Sequence, residues 1–237
     1  MFTSFIFVVY VSHAWSCLFQ DMIDALNEHF GIESDIYIWV NVFSGANPCL
    51  FRYLDVDWLR GIKRTVNSIG HFVVVLSPWR SADALKRSWQ LFDIYCAEIS
   101  HTKFDCIMTK ADKQKFIEAL YTNFESIQHL FSSLVDIRNS LVSRRAEKEK
   151  ILDYSAKTKG HDYFNSRIHN NLRTWLIHRI RKAIGEIDNI EHNIQVRLTL
   201  GTLSLSLSLS VFVSRFISLM LSITTQLPLL TYYHLFI

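Results

Sequence analysis

The first apolar stretch, Phe5 to Val11, runs without a polar interruption, the pattern of a strand covered on both faces. It reads as a strand rather than a signal peptide, being short and lacking a basic segment before it. The spacing then changes to that of a helix. Phe19, Met22, Ile23, Leu26 and Phe30 recur three or four residues apart, and Gly31 follows as a stop. Ile36 to Phe43 predicts a second strand, and Gly45, Asn47 and Pro48 mark a loop. Helical spacing returns in Trp58, Leu59, Ile62, Val66 and Ile69, with Asp55 or Asp57 as the N-cap and Gly70 beyond the end. Phe72 to Leu76 predicts a third strand that Ser77-Pro78 breaks. Leu85 to Ile99 predicts a third helix, and Phe104 to Met108 a fourth strand. Strand and helix alternate, so the expected class is α/β: a parallel sheet with helices on both faces.

Beyond this the pattern becomes helical, from Ala111 to Ile184. Its charged run, Arg144-Arg145-Ala146-Glu147-Lys148-Glu149-Lys150, reads as a solvated helix face. Between Tyr163 and Ile184, Arg167, His169, Arg173, His178, Arg179, Arg181 and Lys182 make a basic face. Opposite them Phe164, Ile168, Leu172, Trp175 and Leu176 are set to pack on the domain. From Leu198 onward Arg215 is the only formally charged residue, and Leu203 to Ser210 alternates Leu with Ser. That tail has three readings. One is a membrane segment over 202–223, with Arg215 costing about 2.5–3.5 kcal/mol on insertion. Another is a strand with one buried face. The third is a translated dinucleotide repeat replacing the true continuation. The organisation expected is an α/β core over 1–110, a helical extension over 111–190 packed on it, and an apolar low-complexity tail over 198–237.

Composition agrees and narrows the field. The chain has 237 residues, 49% hydrophobic and 20% charged, with only 7 Gly and 3 Pro. That excludes collagen-like and linker-rich chains and argues against a turn-dense all-β fold. Mean hydropathy is +0.13, and the tail supplies much of it. A net charge of +3 is too mild to point to nucleic acid, and none is expected as a partner. Cys17, Cys49, Cys96 and Cys106 form no CxxC pair and read as reduced thiols. Cys96, His101 and Cys106 lack a fourth ligand for a structural zinc site, so no metal is expected. Cys17 with His13 is a weak nucleophile pair. The chain contains no G-x-S-x-G elbow, GxGxxG fingerprint, Walker loop or HExxH stretch.

Several stretches together resemble one family. They are Val11-Ser12-His13-Ala14-Trp15, the Ala25-Leu26-x-x-His29-Phe30 helix, Ile38-Trp39-Val40-Asn41-Val42-Phe43 and Asp57-Trp58. Ile69-Gly70-His71-x-Val73-Val74-Val75-Leu76-Ser77-Pro78-Trp79 and Leu85-x-Arg87-x-Trp89-x-Leu91-x-x-Ile94-Tyr95-Cys96 follow. The match continues at Phe164, Asn165, Leu172-Arg173-x-Trp175-Leu176 and Ala183-Ile184. This ordered set resembles the TIR-like module found N-terminal to tetratricopeptide repeats in kinesin-light-chain-like proteins of lower eukaryotes; here the repeats are absent. The resemblance implies a flavodoxin-like sheet of order 2-1-3-4-5. In such a sheet ligands sit beyond the strand ends where the order reverses, between the first and third strands. Those ends carry Ser12, His13 and Trp15, and Ser77, Trp79 and Arg80. Hydroxyls, indoles and cation-capable groups there suit stacking a base and holding a phosphate, and equally suit closing the top of a sheet.

The resemblance also implies two functions. One is a signalling or interaction module that self-associates or docks protein partners without catalysis, in the cytoplasm or anchored to a membrane by the tail. The other is an NAD glycohydrolase, with NAD as substrate, in which a carboxylate on the third helix stabilises an oxocarbenium-like centre. Plant-type relatives carry that glutamate in Ser-x-Trp-Cys-Leu-x-Glu-Leu. Here the stretch is Arg87-Ser88-Trp89-Gln90-Leu91-Phe92-Asp93-Ile94. Trp89 and Leu91 match, and Asp93 stands at the glutamate position, one methylene shorter. A displacement of about 1 Å costs on the order of a hundredfold in rate. The ordinary alternative for Asp93 is a solvent-facing or helix-paired carboxylate.

Overall fold

The computed structural model describes residues 7–32, 35–40 and 56–200, with side chains described at 8–32, 35–40 and 58–185. Strand β1 (Phe7–Ser12) is followed by α1 (Phe19–Phe30), β2 (Ile36–Val40), α2 (Val56–Ile69) and β3 (His71–Val75). A 3-10 turn (Asp83–Lys86) then leads into α3 (Ser88–Ile99) and β4 (Lys103–Ile107). Four further helices come after it: α4 (Lys110–Thr122), α5 (Phe124–Leu134), α6 (Arg145–Thr158) and α7 (His161–Leu200). The four strands form one all-parallel sheet in the order β2-β1-β3-β4. The class is α/β, as the alternation of patterns predicts.

Local chemistry sets the boundaries. Gly31 and Gly70 end α1 and α2 with φ of +90° and +70°, a region that residues with a Cβ adopt at a cost. Their N–H groups donate to the carbonyls of Asn27 and Val66 at 2.9 and 3.1 Å. Thr109 caps α4 by accepting the Asp112 N–H, and Asn123 caps α5 by accepting that of Ser126. The third helix starts later than its apolar spacing predicts. Arg87 is extended, and Leu141 donates its N–H to the Lys86 carbonyl while accepting the N–H of Ser88, so the α-helix begins at Ser88. Asp57 lies inside the first turn of α2, past the N-cap position; Asp55 and the end of the predicted second strand, 41–43, lie outside the described residues.

Side chains alternate across the sheet with period two. Tyr10, Phe72, Val74 and Cys106 face α2 and α3, where Leu59, Ile62, Val66, Leu91 and Phe92 meet them. That core continues without a break into Phe116, Phe131, Phe164, Trp175 and Ile151 of the later helices. Val9, Val11, Val73, Val75 and Ile107 face the other way, against Met22, Ala25 and Leu26 of α1. Each Val, Leu, Ile, Phe or Met among them contributes roughly 1.5–3 kcal/mol by leaving water. Phe164, Ile168, Leu172, Trp175 and Leu176 are all buried, on the face of α7 where the spacing put them. The charged run departs from expectation at one place. Arg144, Arg145 and Glu149 are exposed, but Glu147 is buried and accepts the Trp89 indole N–H at 2.8 Å.

The chain divides into two compact units, Met1–Ile180 and Arg181–Ile237. The first carries the sheet. Of the second, the described part is helix, up to Leu200. No helix among the described residues is long and apolar enough to cross a membrane, and 202–223 lies outside them.

Candidate functional site

The sheet order reverses between β1 and β3, and Asp93 reaches this place from the middle of α3. Tyr10 and Ser12 are two residues apart on β1, so both point to the face that α3 covers. Ser12 Oγ donates to Asp93 Oδ2 at 2.8 Å, and the Tyr10 hydroxyl donates to Oδ1 at 3.1 Å. One turn earlier on the same side of α3, Gln90 Nε2 donates to the His13 carbonyl at 2.8 Å. Asp93 and Gln90 thus latch α3 to the end of β1.

Asp93 is 3% exposed, so it is neither solvent-facing nor paired along its own helix. Burial pushes its carboxyl up to about 7, although the two donated hydrogen bonds pull the other way. Burial and the Asp93 carboxylate together push the Tyr10 phenol well above its ordinary range. A carboxyl that titrates near neutrality can give or take a proton. Both of its oxygens are already engaged by protein hydroxyls.

The remaining residues of the site fall in different environments. Ser77 is buried, and its Oγ accepts the Thr109 N–H at 3.0 Å, joining the ends of β3 and β4. Trp79 is also buried and meets Phe116 edge-on, with the Arg80 guanidinium 4.6 Å from its ring centre. His13 is half-buried, and burial lowers its imidazole below the usual range. Trp15 is 63% exposed. The structure therefore joins Ser12, Asp93 and the His13 backbone, while one indole stands in solvent and the other in the core. Two open grooves, of about 660 and 460 Å³, flank α2, and none of Ser12, Trp79 and Asp93 lines either.

Two partners escaped the sequence reading. Tyr10 sits inside an unbroken apolar run, where its ring explains its presence without its hydroxyl. The available signal was Tyr10 and Ser12 at i, i+2 spacing, which puts two hydroxyls on one face of a buried strand. Glu147 was hidden in the charged run. The thiols offer no nucleophile among the described residues: burial pushes Cys17 up to about 11, and Cys96 and Cys106 lie in the core. Cys49 lies outside the described residues. The described residues with metal-binding geometry are His29, His71 and Asp105, not the Cys96, His101 and Cys106 set. Comparison with protein-family models, with curated proteins and with solved structures finds no match.

Proposed function

We propose that the chain is a TIR-like, flavodoxin-like signalling module that binds protein partners or a second copy of itself and does no catalysis. The observation that carries this reading is the placement of Asp93. Both carboxylate oxygens are taken by Ser12 and Tyr10 inside the core, which leaves no room for a ribose to approach. Docking instead falls to the surface beside β1, where Trp15, Leu18 and Phe19 are more than half exposed within five residues. The strand order β2-β1-β3-β4 supports the fold part of the reading, because it places the reversal between β1 and β3. A cytoplasmic setting fits the free thiols of Cys17, Cys96 and Cys106.

The alternative is NAD cleavage at Asp93. One observation favours it: a carboxyl held near neutral pKa at the end of β1, the property of a tuned catalytic acid. The full-length chain separates the two readings. Sedimentation velocity across a concentration series is expected to show association that Leu18→Ser with Phe19→Ser weakens, with no nicotinamide released from NAD. Nicotinamide release that Asp93→Asn abolishes would overturn the interaction reading in favour of the enzyme.

A further inference from the structure

On the opposite face of the sheet from Asp93, three ligand-bearing side chains converge from three elements. His29 comes from the last turn of α1, His71 opens β3, and Asp105 lies in the middle of β4. The register pairs Val73 with Asp105 and His71 with Lys103, so strand alternation puts His71 and Asp105 on the α1 side together with Val73 and Ile107. His29 Nε2 stands 3.9 Å from Asp105 Oδ2, and one ligand atom from each of the three residues lies within 4.8 Å of the others. We propose that His29, His71 and Asp105 bind a divalent transition metal ion of the zinc class, with the outward position left to water.

Ligand type selects the ion. Two imidazoles and one carboxylate suit zinc, cobalt, nickel or ferrous iron, whereas magnesium and calcium require oxygen donors throughout. The geometry needs the ligands to draw together. Ligands about 2.1 Å from a tetrahedral ion lie about 3.4 Å apart, so the 3.9 Å pair closes by about half an ångström and a pair at the 4.8 Å limit by about 1.4 Å. His71 is buried, while His29 and Asp105 keep 19% and 18% of their side chains accessible, which leaves an entry path. The Phe30 ring stands edge-on to both imidazoles, at 4.5 and 5.8 Å, and limits their rotation.

Charge acts on both sides of the balance. Burial lowers both imidazoles below the ordinary range, His71 to about 4. Lys103, Lys113 and Arg179 surround the group and oppose a dication; Lys113 is itself paired with Glu28 at 2.6 Å. A bound ion would tie the end of α1 to β3 and β4, making it a clip across the α1 face of the sheet.

The test uses the full-length chain, with any affinity tag removed and after chelator treatment, titrated with Co²⁺. The expected result is one Co²⁺ per chain with visible d–d absorption, displaced by Zn²⁺, and a thermal midpoint that Zn²⁺ raises. His29→Gln and Asp105→Asn, which leave the buried His71 in place, should each weaken binding at least about tenfold. His101→Gln and Cys17→Ser should leave it unchanged. No absorption at saturating Co²⁺, or binding that survives both His29→Gln and Asp105→Asn, overturns the proposal.

Discussion

The carboxylates of Asp93 and Asp105 lie against opposite faces of one sheet, in surroundings that differ in depth. Asp93 is enclosed by a core that begins with α2 and α3 and continues through side chains of the later helices. Asp105 lies on the face where, among the described residues, the buried cluster draws on α1 alone among the helices, and its side chain keeps an opening to solvent. Depth decides what each group can do. The enclosed carboxyl exchanges its water for the Ser12 and Tyr10 hydroxyls and becomes a structural latch with a neutral pKa. The half-open one keeps a free approach from outside and two imidazoles beside it. Among the described residues, one sheet thus carries an enclosed carboxyl on one face and a solvent-accessible one on the other.

The largest test of that contrast is packing. Phe92→Ala opens a void between Trp89, Tyr154 and Phe164 in the deep layer and should cost about 3–5 kcal/mol in urea unfolding. Met22→Ala on the α1 face removes a smaller side chain and should cost less than Phe92→Ala, within about 2–5 kcal/mol. An equal or larger loss at Met22 would break the contrast.

Next in size is the titration of Asp93. Its folded value, about 7, lies above the ordinary 3.8, so the folded chain holds this proton more tightly than the unfolded chain. The resulting stability is complete below about pH 4, is lost as pH rises through about 7, and amounts to at most about 4 kcal/mol. Asp93→Asn should flatten this slope and leave the variant the more stable of the two above pH about 8. Urea midpoints of both proteins across that range are the measurement, and parallel slopes would place Asp93 in water. The smallest effect sharpens the other side. The Lys113–Glu28 pair links α4 to α1 at 2.6 Å with 35% and 25% of its side chains accessible. Lys113→Ala should therefore cost less than about 1 kcal/mol, and less again in high salt.

Most of the fold was legible because its signals are local. The glycines after α1 and α2, the apolar strands and the apolar face of α7 each depend on neighbours within a few residues. The start of α3 was not, since Leu141, more than fifty residues away, holds Arg87 extended. The site divides in the same way. Asp93 drew attention through its place in a motif, but its two partners depend on strand direction, and the burial of Trp79 depends on Phe116 of a later helix. His29, His71 and Asp105 share no local pattern at all. Only the register between β3 and β4 and the path of α1 bring them together.

The strand order also bears on how the chain is made. β1 precedes the other described strands in the chain yet lies inside the sheet, and its partner β3 begins only at His71. Until that segment leaves the ribosome, Val8 to Val11 keeps an open edge, and only α1 is at hand to cover one of its faces. Pairings at such separation close slowly, and exposed β-prone segments of this kind associate with one another. Chaperone dependence and losses to aggregation should therefore concentrate in nascent chains that end between β2 and β3.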